Sequence, residues 1–313
     1  MNREERYGDH AHGGRWSVWR CLAAAPAMVG GLGVAIVATG LAGRWATAVL
    51  LVWLLTGLAL LTRQGERVVV RVALRCRRPT AAEHTALNPV WHDVLDRCRV
   101  APDAVDLYVR PGRGVNAYAI GRRTIAVTNG VLREYRAGKL GPELLGALAA
   151  HELGHHATRA TRFGLAASWY AAPWRMLYRT VARIALRLVG RQPLIPTACV
   201  ALAAVAIAAG QGARQHSWFA VSVLLATATV AIAAPLTDAA LSRASEYAAD
   251  QYAASAGYGK SLSILLTLLD PRRSAPSRGR GRLLERHPPT RSRIARIDGP
   301  AALIGPKSAG LAA

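Results

Sequence analysis

The sequence predicts an α+β, mostly helical protein carrying four transmembrane helices in two hairpins. Three observations support that reading. Residues 21–43, 45–62, 192–213 and 215–237 contain no Asp, Glu, Lys or Arg, and each stretch has about the 20 residues a helix needs to cross a bilayer core. Between residues 105 and 128 lie three short β-prone runs. Elsewhere apolar or basic residues recur every three or four positions, the period of one helix face.

Hydrophobic residues fill 52% of the 313 positions, which excludes a disordered or collagen-like chain and leaves enough apolar surface for a sizeable core. Mean hydropathy is positive although the net charge is +22. Apolar and basic residues must therefore be segregated along the chain, as they are in a membrane protein. The charge comes from 37 Arg against 3 Lys, a skew that a GC-rich genome produces without any role in binding phosphate. No basic–aromatic motif accompanies it, so nucleic acid is not an expected partner.

Residues 1–20 form a basic N-terminus with Arg3, Arg6, Arg15 and Arg20. The apolar run that follows is too long for the core of a cleavable signal, so the first hairpin, 21–62, is expected to stay in the protein. Arg44 is the only charge in its connection, whereas Arg63, Arg67, Arg71, Arg75, Arg77 and Arg78 follow it. The second hairpin, 192–237, is joined through Arg214 alone. Pro193, Pro196 and a high Ala content leave a buried helix as the alternative for its first member. The positive-inside rule then places both termini and the region between the hairpins in the cytoplasm, in a multi-pass protein of the cell membrane.

Two Arg ladders repeat every four residues, Arg63/Arg67/Arg71/Arg75 and Arg175/Arg179/Arg183/Arg187, which puts each along one face of a helix. The second is interleaved with Trp169, Trp174, Met176, Leu177, Ile184 and Leu188. That pattern fits a helix on an anionic lipid surface, with a solvated face as the alternative. Runs 105–110, 115–120 and 124–128, separated by Pro111-Gly112-Arg113-Gly114 and by Gly121, imply a small sheet. Cys21, Cys76, Cys98 and Cys199 show no CxxC spacing, so neither a thiolate metal site nor a disulfide framework is expected.

The chemistry is carried by His151-Glu152-Leu153-Gly154-His155. Gly141-Pro142-Glu143 starts a helix, with Pro in the first turn and an acid near the positive end of the dipole. That helix sets Leu144, Leu148, His151 and His155 on one face. Two imidazoles one turn apart can reach a single Zn2+, with Glu152 placed to deprotonate a water. A hydrolytic zinc site needs a third protein ligand and an open position. Glu246 and Asp250, four apart, share a face; Glu246 can bind the metal while Asp250 holds the far nitrogen of a ligand imidazole.

The motifs combine into a wider pattern. HELGH stands at 151–155, RASEYAAD at 243–250, RHPPTRSRI at 286–294, and NAYAIGRRTIAVTNGVL at 116–132. Over residues 66–298 this resembles the HtpX-like integral-membrane zinc metallopeptidases, relatives of the CAAX prenyl protease. Two positions depart from the pattern: His156 replaces a common apolar residue, and Arg286 stands where the family has Thr. Neither removes a ligand.

The resemblance implies a zincin-like (gluzincin) catalytic domain binding one Zn2+ per chain through His151, His155 and Glu246. Glu152 would be the general base, Asp250 and Arg243 would support the ligands, and Asn116 and Ala117 would lie on an edge strand that pairs with an extended substrate. His287 is implied as a donor to the oxyanion, with Arg293 holding the loop or the substrate backbone. Catalytic segments are expected at 63–191 and 238–271, then a basic linker at 272–286, the terminal element at 287–298 and a tail at 299–313. The expected activity is membrane-bound zinc endopeptidase action on polypeptides in membrane or misfolded-protein quality control. A non-catalytic basic scaffold with a structural zinc site, and a prenyl-peptide processing protease, are the alternatives.

Overall fold

The computed structural model describes residues 10–41, 43–189, 194–269 and 287–299. The described residues are mostly helical with one three-stranded sheet, and they form two compact units. The first draws on the described residues within 1–20, 56–166 and 239–313, the second on those within 21–55 and 167–238.

In the first unit, β1 (Asp106–Arg110), β2 (Ala117–Ile120) and β3 (Thr124–Thr128) are ordered β1-β3-β2. β1 runs parallel to β3, with Leu107 opposite Ile125, and β2 runs antiparallel, with Ala119 opposite Ile125. The central strand, Thr-Ile-Ala-Val-Thr, is buried at every position, as its β-branched residues favour. The β2–β3 turn uses Gly121 at φ 58°, a left-handed conformation that glycine adopts without a Cβ penalty. Glu66 from α3 (Arg63–Val72) closes this turn. Its carboxylate accepts from the amides of Arg122 (2.8 Å) and Arg123 (3.2 Å) and from Thr124 Oγ1 (2.8 Å).

Helices α4 (Ala81–Arg97), α5 (Asn129–Arg136), α6 (Pro142–Ala157) and α11 (Gly259–Leu269) pack around the sheet. Val94, Leu95, Ile125, Leu153, Leu262 and Leu265 make the center of their core, each contributing about 1.5–3 kcal/mol by burial. α4 opens on a capping box in which Thr80 and Glu83 satisfy each other's backbone amides. The first Arg ladder is shorter than its spacing predicts. α3 ends at Val72, and Arg75 takes φ 53° as the chain turns to pair Arg77 with Val109. Arg63 and Arg67 instead pair with Asp106, at 3.7 and 3.2 Å.

The second unit takes in parts of α1 (His10–Gly40), α2 (Ala46–Ala59) and α10 (Trp218–Ala253), together with most of α7 (Gly164–Tyr170) and all of α8 (Ala172–Val189) and α9 (Leu194–Arg214). Trp169 Nε1 donates to Trp53 O at 2.9 Å and Tyr170 Oη to Leu54 O at 2.8 Å. The stretch 169–189 is two helices, not one, because the chain breaks at Ala171 and restarts with Pro173 in the first turn of α8. All four cations of the second ladder lie on α8; the side chain of Leu188 and residues 190–193 are outside the described residues.

Among the described residues, one helix, Val18–Gly40, is by itself long and apolar enough to cross a bilayer. α2 and α3 pass that test only as a bent pair. The 14 residues of α2 extend about 21 Å, less than the roughly 30 Å of a hydrocarbon core. Thr62 turns the chain there by accepting from the Gly65 amide and capping α3. Residues 194–213 of the third expected span lie on α9 and residues 218–237 of the fourth on α10, where many side chains are outside the described residues.

Candidate active site

α6 positions the HELGH residues. Gly141 is its N-cap, Pro142 starts it, and residues 145–154 are all buried. The rings of His151 and His155 stand edge to face with centroids 4.8 Å apart. α10 comes very close to this segment: a Cβ added to Gly154 would lie 2.7 Å from Ala249 Cα and 2.9 Å from Ala249 O. Glycine at that position therefore lets the two backbones approach until Glu246 meets both imidazoles.

Glu246 Oε2 lies 3.6 Å from His151 Nε2, and Oε1 lies 3.7 Å from His155 Nε2. Asp250 Oδ1 is 3.0 Å from His151 Nδ1, behind the ring. Arg293, buried on α12 (Thr290–Ile297), forks onto Asp250 with Nε to Oδ2 at 2.7 Å and Nη2 to Oδ1 at 2.6 Å. Its Nη1 is 3.2 Å from Glu246 Oε2. Glu152 is buried, and its Oε2 accepts from the Ala119 amide at 2.5 Å. His287 is exposed, with Nδ1 3.3 Å from Glu246 Oε1.

The electrostatics follow from this crowding. Burial opposes ionization of Glu246, but the nearby His151, His287 and Arg293 hold its carboxyl well below the usual range. Asp250 is held down in the same way by Arg293 and His151. Burial pushes Glu152 upward. Burial, then the neighboring His151, push His155 down to about 3, leaving the neutral ring that can bind a metal. Burial also disfavors a charged His151, yet Asp250 and Glu246 outweigh it and hold that ring up at about 9, so binding a metal there would release its proton.

The remaining expected residues lie at different depths. Ala117 is buried at the start of β2, and exposed Asn116 accepts its amide through Oδ1 at 2.9 Å. The β2 amide that faces the active-site helix belongs to Ala119. Arg243 is half-buried one turn before Glu246. Arg293 was expected to hold the loop or the substrate backbone; its guanidinium grips the buried Asp250 and Glu246, which ties its own segment to α10. His156, unusual in sequence, lies with Nε2 3.0 Å from Thr124 O and ties α6 to β3. Sequence reasoning missed Ala119, since a backbone donor has no residue signature, and also missed the contacts of Arg20 described below.

The donor set fits a zinc ion. His151, His155 and Glu246 each offer an atom, all within 4.8 Å of one another. Ligand atoms at 2.0–2.1 Å in a tetrahedron lie about 3.3 Å apart, close to the 3.6 and 3.7 Å observed here. Paired imidazoles and a carboxylate from another helix could thus hold a metal ion, with a separate buried Glu beside them.

Residues 81–301 match peptidase family M48, and the chain belongs to that family. Membership implies a zinc-dependent metallopeptidase acting on polypeptides. No curated protein matches the chain.

Proposed function

We propose that the protein is a multi-pass membrane zinc endopeptidase, with its site in the cytoplasm, that cuts membrane or misfolded polypeptides in quality control. The observation behind this reading is the convergence of His151, His155 and Glu246 beside a buried, amide-held Glu152. His151, His155 and Glu246 would hold Zn2+, with Asp250 orienting the His151 ring. When bound, the ion polarizes the scissile carbonyl and lowers the pKa of water at the site from 15.7 toward ~7.

Glu152 takes the proton of the attacking water and returns it to the leaving amine. The Ala119 amide fixes the base through one oxygen, holding its direction without neutralizing it. β2, with Asn116 and Ala117 at its start, is the strand against which an extended substrate would align. Arg175, Arg179, Arg183 and Arg187 on α8 support contact with anionic lipid.

The test is degradation of casein by the full chain in detergent, before and after chelation and after zinc is restored. Glu152→Gln should keep bound zinc while losing about 100-fold or more in rate. His151→Ala, His155→Ala or Glu246→Ala should lose the metal. Proteolysis that survives chelation, or survives in Glu152→Gln, overturns the mechanism.

A further inference from the structure

We propose that Arg20 is a positioning residue of the metal center, supplied from outside the region that matches the family. The inference rests on the metallopeptidase reading. In sequence Arg20 is one more cation flanking an apolar run, and any Lys would serve that purpose. Its contacts give it a second job. Nη1 donates to Ala160 O at 3.0 Å and Nη2 donates to Ser245 Oγ at 2.7 Å.

Both acceptors are one bond network away from a proposed ligand. Ala160 is buried, and its amide donates to the carbonyl of His155 at 3.0 Å. Ser245 is buried, directly precedes Glu246, and donates its own hydroxyl hydrogen to Ser242 O at 2.8 Å. The fork of one guanidinium thus ties the end of α6 that carries His155 to the turn of α10 that carries Glu246. His155 Nε2 and Glu246 Oε1, 3.7 Å apart here, must come to about 3.3 Å to share one tetrahedral ion. An ammonium cannot reproduce a planar fork between two fixed acceptors.

This separates Arg20 from the general basic flank. The family match begins at residue 81, so a fragment cut to that match carries every proposed ligand yet lacks the tie between two of them. Arg20 is also the last residue before the apolar run beginning at Cys21.

The experiment uses the full chain in detergent with Arg20→Lys, Arg20→Gln, Ser245→Ala, the Arg20→Gln/Ser245→Ala double variant, and Arg44→Gln as a control cation. Zinc retention is read by competition with a chelator, beside kcat, KM and thermal melting. Arg20→Lys and Arg20→Gln should each weaken zinc retention about 10-fold and lower kcat more than they change KM. Ser245→Ala should lose less, and the double variant no more than Arg20→Gln, since both break one linkage. Arg44→Gln should match the wild type. Wild-type zinc retention and kcat in Arg20→Lys overturn the inference, as does a lowered melting point in Arg20→Gln with zinc retention unchanged. A wild type that retains no zinc overturns the metallopeptidase reading itself.

Discussion

Arg293 holds Asp250 through two parallel hydrogen bonds, 2.7 and 2.6 Å long, with both side chains buried. The same guanidinium stands 3.2 Å from Glu246, so one cation serves the proposed ligand carboxylate and the carboxylate behind His151. Removing it takes the one permanent cation from two buried carboxylates that otherwise face only imidazoles, a class of change that costs about 3–5 kcal/mol. Arg293→Met should lower the melting point and weaken zinc retention about 10-fold. Arg293→Lys should recover part of the stability but not the zinc, because the fork is lost. A thermal melt and a chelator competition check both, and an Arg293→Met protein indistinguishable from wild type would contradict this account.

Glu83 supplies a pH test away from the metal center. Its carboxylate takes Arg77 Nη1 at 2.5 Å, Arg77 Nη2 at 2.8 Å and the Thr80 amide at 2.9 Å. Bonding to Arg77 pulls its pKa down to about 2 from an ordinary 4.5. A depressed acid stabilizes the fold fully above its unfolded pKa and loses that contribution as pH falls through its folded one. With Arg77 half-exposed and screened, the contribution is about 1–2 kcal/mol. Melts of Glu83→Gln and wild type, both with chelator, should differ by about 4 °C at pH 7. That gap should shrink below pH 4.5 and close near pH 2. A gap that does not change with pH would show that the ion pair contributes nothing.

Local periodicity made much of this molecule legible. A four-residue spacing becomes one helix face whatever surrounds it, so His151 with His155 and Glu246 with Asp250 could be paired off in sequence. Alternation and glycine turns likewise marked the three strands to within a residue or two at each end. Residues that act across the chain were harder to read. Arg293 looked like a loop or substrate contact because nothing local shows that it returns to Asp250, 43 positions away. Glu66 sits between Arg63 and Arg67 with nothing local to single it out, yet it closes a turn 56 residues further on. The second apolar run reads as one span, but the chain bends at the Thr62 cap, so α2 passes the length test only together with α3.

The membrane arrangement is open to a direct test. Arg44 is exposed in the connection after α1, and Arg214 ends α9. The basic imbalance predicts that both lie outside the cell. Cysteines introduced at 44 and 214 should react with an impermeant thiol reagent in intact cells. One introduced at the half-exposed Arg136 should react only after permeabilization. Labeling of 136 from outside would reverse the orientation. Protection of 214 in intact cells would make the second pair a re-entrant or buried element and leave α1 as the principal span.

His287 gives the sharpest distinction between a spectator and a participant. Its side chain is 62% exposed while its Nδ1 lies 3.3 Å from Glu246 Oε1, so it borders the proposed metal center with a face still open to solvent. Pro288 is buried and Pro289 precedes α12, whose Arg293 is locked onto Asp250. The imidazole is therefore carried by a stiff segment pinned six residues later. A donor held in this way gains its value when charge develops on the attacked carbonyl, and one such donor is worth roughly 3 kcal/mol. His287→Ala should keep zinc and the melting point but lower kcat by about 100-fold with little change in KM, the pattern of an interaction made only in the transition state. Steady-state kinetics on a short peptide, beside a zinc assay, decide the matter. An unchanged kcat would make His287 a spectator at the rim, whereas loss of zinc would mean that it supports Glu246 as part of the metal's own surroundings.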